Sequence, residues 1–295
     1  LKRAREQLLD PVAVLRGLAQ DQLSSALETQ ALAALTQGPI ADPETSAPIA
    51  RPSWLTSAYL AGQERAVRER TDELYQRLDA GRSHLEAPEP DPAPSGGTPP
   101  DDAAQKKKLA AAIRLALPYL DAALTNMDKA AGALDAHQLF DASANQETAV
   151  EQLALAIEQF GDIRTLIELL YADQTRAVAA LSPEPPASAP SQPRQAPLSP
   201  RDRSALVHTV VARNENRLTR LESLFHEELA ALDAQPAAPA PPGQPTSPDP
   251  NEQKRQLFQQ ALVARQAAAD ALGKMKTSLP LDATRVIEAA KETQA

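Results

Sequence analysis

The chain has no cysteine, one tryptophan, ten glycines and only 3% aromatic residues in 295 positions. Without cysteine there is no disulfide, no thiol nucleophile and no thiolate metal site, and the compartment stays open on that score. With so few rings, any core has to be aliphatic and thin. No run of alternating β-branched or aromatic residues marks a strand. No apolar stretch reaches the roughly 20 residues that span a bilayer. The most apolar window, 109–124, contains Arg114 and Pro118. A long basic stripe is also missing. The net charge is −9 and the pI about 5.1, so nucleic acid is a poor partner. Lys106, Lys107 and Lys108 read as the solvated start of a helix. The chain begins at Leu1 without a signal-like basic and apolar segment. It is therefore expected to be processed or a piece of a longer chain, and a targeting segment could lie outside it.

What is abundant is alanine, leucine and proline. Of the 27 prolines, 24 fall in the windows 39–52, 88–100, 183–200 and 236–250. Proline fixes φ and lacks an N–H, so these windows cannot be helix interior or central strand. They read as extended, polyproline-like spacers. Between them apolar residues recur at alternating spacings of three and four. Leu109, Ile113, Ala116, Leu120, Ala123, Met127, Ala130 and Leu134 form one such stripe. Leu139, Ala142, Gln146, Ala149, Leu153, Ala156 and Phe160 form the next. Each stripe gives a helix one seam for a nearly parallel or antiparallel neighbour. Asp10-Pro11 and Ser199-Pro200 read as N-caps with proline at the first helical position. Pro118 is expected to kink its helix rather than end it, because the stripe continues in phase.

Residues 1–22 align without a gap on 153–174. The identities include Glu6/Glu158, Gln7/Gln159, Asp10/Asp162, Leu18/Leu170, Asp21/Asp173 and Gln22/Gln174. Further matches follow in order: Arg70 with Arg220, Met127 with Met275, and the LDA of 134–136 with that of 281–283. The expected fold is all-α, with two tandem four-helix, bundle-like repeats of about 150 residues joined by Pro-rich linkers. Repeat 1 covers 1–160 with linkers 37–52 and 83–101. Repeat 2 covers 161–295 with linkers 182–199 and 235–250, and is cut short in its last helix. Helices are expected at 11–36, 53–82, 102–134, 137–159, 162–181, 200–234, 251–279 and 282–295. Both ends cut through a repeat, so further copies are expected in the natural protein. A stacked solenoid of hairpins is the rival arrangement.

Gln22, Gln63, Gln146 and Gln174 fall on or beside the apolar seams. A lone polar residue on a seam fixes register, because misalignment leaves its amide unpaired. Two readings fit them: a shared buried layer of Gln22, Gln63 and Gln146 in repeat 1, or side chains at the seam edge that reach water. Trp54, after Pro52-Ser53, reads as a helix-start staple or as an interface residue. The four histidines form no metal-binding spacing, and His226, Glu227, Glu228 and Glu222 read as a solvated acidic face. No nucleophile elbow, phosphate loop or dinucleotide fingerprint is present. The expectation is no catalysis, no cofactor and no metal.

The segments 59–78, 144–160 and 165–181 resemble the Gln-rich, Leu-patterned helices of Ala-rich bacterial envelope proteins associated with MoxR and von Willebrand A-domain operons. That resemblance implies a periplasmic or cell-surface location in a multiprotein assembly, and no functional residues to carry over. Three functions follow as expectations. The first is a non-enzymatic scaffold or adaptor that binds proteins. The second is a spacer or stalk without side-face binding, and the third is a bundle that holds a small molecule.

Overall fold

A computed structural model describes residues 10–36, 52–87, 100–181, 200–234 and 250–278. All regular structure among them is helical. The helices are α1 Pro11–Thr36, α2 Ser57–Glu86, α3 Pro100–Asp135, α4 Leu139–Glu158, α5 Ile163–Leu181, α6 Pro200–Ala234 and α7 Pro250–Ser278. The chain divides into two compact units, Leu1–Phe160 and Gly161–Ala295.

In unit 1, α1 packs on α2 and α4, α2 packs on α3, and α3 packs on α4. The four helices thus close a ring. Side-chain pairs give their directions. Asp21 meets Arg70 while Ser25 meets Glu64, so α1 and α2 run antiparallel. Arg65 meets Asp135 while Arg68 meets Asp128, so α2 and α3 do too. The core of this ring comes in two pieces. The larger contains Leu15, Leu18, Val67, Leu74, Ile113, Leu120, Met127 and Leu153. The smaller contains Leu32, Leu55, Leu60, Leu134, Leu139 and Ala142. In unit 2, α5 packs on α6 and α6 on α7. Its core joins Leu166, Leu170 and Ala177 to Val207, Val211, Leu218, Phe225, Leu272 and Met275.

Local chemistry sets the helix ends. Asp10 Oδ1 accepts from the Val12 N–H at 3.4 Å, and Asp162 Oδ1 accepts from the Thr165 N–H at 2.8 Å. Both aspartates supply an acceptor for an orphan first-turn donor. α2 does not begin at 53 as expected. Its N-cap is Thr56, whose Oγ1 accepts from the Tyr59 N–H at 3.2 Å. Leu55 and Leu60 then stand at the two staple positions, and both are buried in the smaller core piece. α2 also continues to Glu86, so residues 83–86 are helix rather than linker. Arg82 holds that last turn through Asp79 at 2.8 Å and Glu86 at 2.9 Å. α3 and α7 likewise start at Pro100 and Pro250, inside the expected linkers. The expected last helix at 282–295 and most of the four proline windows lie outside the described residues.

α3 runs unbroken through Pro118. Ala116 and Leu120 on either side are fully buried, while Arg114 and Pro118 face solvent. The carbonyl that proline cannot satisfy, that of Arg114, therefore lies on the wet side of the helix. α3 turns into α4 through His137, whose φ of 58° is left-handed. The N–H of Gln138 donates to the Ala133 carbonyl at 2.8 Å, and that of His137 to Leu134 at 3.1 Å. This is a Schellman ending with histidine where glycine is usual.

Candidate functional site

The two core pieces of unit 1 are separated by a polar layer. It is built by α1, α2 and α4; on α3 the fully buried Ala130 falls between Met127 of the larger piece and Leu134 of the smaller. Gln22, Ser25 and Thr29 come from α1, Glu64 from α2 and Gln146 from α4, and none is more than 1% exposed. These residues share the seam spacing of the leucines around them, and that spacing carries them inward. On α2 the seam reads Leu60, Glu64, Val67, Thr71, Leu74 and Leu78, all buried.

Glu64 is the centre of the layer. Its Oε1 accepts from Gln22 Nε2 at 2.7 Å. Its Oε2 accepts from Gln146 Nε2 at 2.7 Å and from Ser25 Oγ at 3.2 Å. Gln146 Nε2 also donates to Ser25 Oγ at 3.0 Å, and Thr29 Oγ1 donates to the Ser25 carbonyl at 3.0 Å. All three donors to the carboxylate are neutral. Burial pushes the Glu64 carboxyl above its ordinary value of 4.5, and the bonds from Gln146, Gln22 and Ser25 oppose that rise only in part. The side-chain carbonyls of Gln22 and Gln146 have no partner. The layer therefore holds an acid without a counter-charge, beside two buried acceptors without donors.

Two of the seam glutamines of repeat 1, Gln22 and Gln146, meet here through Glu64. Gln63 does not join them. It is half-buried on the flank of α2, and its Nε2 donates to the Tyr59 hydroxyl. The physical reason is spacing: from Leu60 the inward position is four residues on, at Glu64, not three. Trp54 is not in a helix. It sits in the turn before Thr56, 53% exposed, with its ring edge-on to Tyr59 at a centroid distance of 5.3 Å. The staple role expected of it belongs to Leu55.

Unit 2 buries its polar groups differently. Gln174 is fully buried, and neither amide atom has a partner. Its chain neighbour Asp173, 6% exposed at the side chain, accepts from Arg217 Nη1 at 2.8 Å. The same Arg217 atom reaches Asn214 Oδ1 at 2.8 Å and the Leu169 carbonyl at 3.2 Å. Arg176 and Arg213 stand 3.6 and 3.7 Å from the Asp173 carboxylate. Burial lowers the Arg220 guanidinium, partly offset by Glu227 at 3.7 Å.

Among the described residues, no group of three or more His, Cys, Asp or Glu stands together as a metal site. Of the acidic face expected at 222–228, Glu222 is bonded to Arg265 at 2.6 Å and Glu227 to Arg220. No described helix is long and apolar enough to cross a membrane. Comparison with family models, with curated proteins and with solved structures yields no match to the chain.

Proposed function

We propose that the chain is a non-enzymatic helical scaffold that binds other proteins through exposed helix faces. In this reading it is built from two tandem four-helix repeats of about 150 residues joined by Pro-rich linkers. The observation that carries the proposal is a set of large apolar side chains left in water on ordered helices. Leu23 and Leu27 lie one turn apart on α1, 48% and 56% exposed. Ile167 and Tyr171 do the same on α5, at 48% and 57%. Residues four apart share one helix face, and exposed apolar faces with an aromatic suit protein partners.

Duplication is supported by matching environments. Asp10 and Asp162 both cap helices, and Gln22 and Gln174 are both fully buried. Glu64 and Asn214 lie 150 positions apart, the same spacing as Arg70 and Arg220, and both are fully buried polar residues. The proposal extends to a periplasmic or cell-surface scaffold, among protein partners and further copies of the repeat; the resemblance of segments 59–78, 144–160 and 165–181 to envelope-protein helices supports this reading.

Immobilised full chain is expected to capture specific proteins from an envelope extract. The double variants Leu23→Glu/Leu27→Glu and Ile167→Glu/Tyr171→Glu should each remove a subset of them while leaving the helical circular dichroism unchanged. Capture that neither double variant alters would favour a spacer that engages partners elsewhere.

A further inference from the structure

We propose that the Glu64 layer is a proton-binding site, which couples the closure of the four helices of unit 1 to pH. The geometry supplies the argument. A carboxylate on α2 is removed from water and faces α1 and α4 through Gln22, Ser25 and Gln146, all neutral. A buried ion with no cationic partner is costly, and neutral donors offset only part of that cost.

Charged groups on the surrounding helices do not neutralise it. On α1, Asp21 is bound to Arg70 at 2.7 Å, and Glu28 carries the same sign as Glu64. On α2 itself, Arg65 and Arg68 reach outward to Asp135 and Asp128 of α3. Lys129 of α3 is exposed, and Glu147 of α4 accepts from Gln30 at 2.6 Å on the surface. None of them acts on the Glu64 carboxyl.

A proton removes the charge deficit and adds a donor. It cancels the buried charge, and it gives Glu64 an O–H to donate. Gln22 Oε1 and Gln146 Oε1 are both unpartnered, and a half-rotation of either amide would let its oxygen accept that O–H in exchange for the bond its Nε2 now donates. The neutral acid is thus the form that burial favours, and the ion is the form that burial penalises.

The direction of the coupling follows from linkage. The folded unit holds its proton to higher pH than the unfolded chain does. The stabilisation is fully present below the ordinary value of 4.5 and is lost as pH rises through the folded value. Surface ion pairs behave in the opposite sense in acid, so the wild-type profile alone mixes both. The difference between wild type and Glu64→Gln isolates the layer, because the amide has the shape of the neutral acid, with one acceptor end and one donor end, and cannot ionise.

Trp54 is the single tryptophan and lies in unit 1, so its fluorescence follows unfolding of that unit in the full chain. Urea titrations from about pH 3.5 to about pH 8 are expected to show the wild-type unfolding constant rising, relative to that of Glu64→Gln, by tenfold for each unit that the carboxyl is raised. Parallel pH profiles for the two proteins would overturn the proposal. A second measurement needs no folded variant. Infrared difference spectra of the wild type should retain a protonated-carboxyl C=O band above the pH at which ordinary carboxyls have ionised. Its absence would equally overturn the proposal.

Discussion

At the middle of unit 1 a glutamate is held by two amides and a hydroxyl; in unit 2 the buried aspartate next to Gln174 is held by an arginine 2.8 Å away. Both carboxylates are out of water, but their charge is handled in different ways. In unit 2 the Arg217 guanidinium supplies the opposite charge and spends further N–H capacity on Asn214 and the Leu169 carbonyl. In unit 1 nothing supplies it, so the balance depends on whether a proton is bound. The contrast teaches that burial alone does not say what a polar residue does. The sign and number of its partners decide whether it locks the structure or makes it responsive.

The strongest way to break this comparison is to make unit 2 resemble unit 1. Arg217→Met removes the partner of a buried charge, a change that typically costs about 3–5 kcal/mol. Arg176 and Arg213 lie near enough to Asp173 to hold the loss to the lower end. Pulse proteolysis, with fragments assigned by mass, should show faster cleavage within 161–295. The urea midpoint reported by Trp54 should stay where it was, and a shift there would mean that the units do not stand alone.

A smaller effect sharpens the unit 1 side. Gln146→Ala takes a donor from Glu64 Oε2 and from Ser25, which should destabilise unit 1 by about 1–3 kcal/mol. Because the Gln146 bond lowers the Glu64 carboxyl, its loss lets the folded value rise further. The cost should therefore be greater at alkaline than at acid pH, read as a widening gap between variant and wild-type urea midpoints. A gap that is constant with pH would show that Gln146 acts by packing alone.

The least change is expected at the surface. Arg164 and Glu168 form a pair on α5 at 2.8 Å, but their side chains are 85% and 63% exposed. Exposed pairs of this kind are screened by water and salt. Arg164→Ala should leave the cleavage kinetics of unit 2 unchanged, which separates the Asp173–Arg217 pair from ion pairing in general.

Much of the helical layout was legible in the chain, for a simple reason. Aspartate followed by a helical pattern is a local signal, and Asp10 and Asp162 both act locally on the next turn. The 109–134 stripe was equally readable, since its members from Ile113 to Leu134 are buried as the spacing implied. Leu109 is the exception, 45% exposed at the outer end of α3. Glu64 carries a signal in the seam spacing that its charge obscures. Stepping from Leu60 to Val67 by four and then three lands on Glu64, but a charged residue is rarely fully buried, and the neutral Gln63 beside it is the less costly one to bury. Arg217 is a related case: its burial depends on Asp173, a partner 44 residues away. No local pattern announces such a pairing. The start of α2 lies later than the sequence implies because Pro52-Ser53 resembles a cap, whereas the hydroxyl that reaches a first-turn N–H is that of Thr56.

The split core of unit 1 also has a consequence for how that unit opens. The smaller apolar piece contains nine buried side chains, four of them alanine, against fifteen in the larger. Polar groups that can exchange partners with entering water lie between the two. Such a boundary makes sub-global opening less costly on one side than on the other. The ends of α1 and α3 and the starts of α2 and α4 are therefore expected to open first, with amides that exchange with solvent faster than those of the helices beyond Glu64.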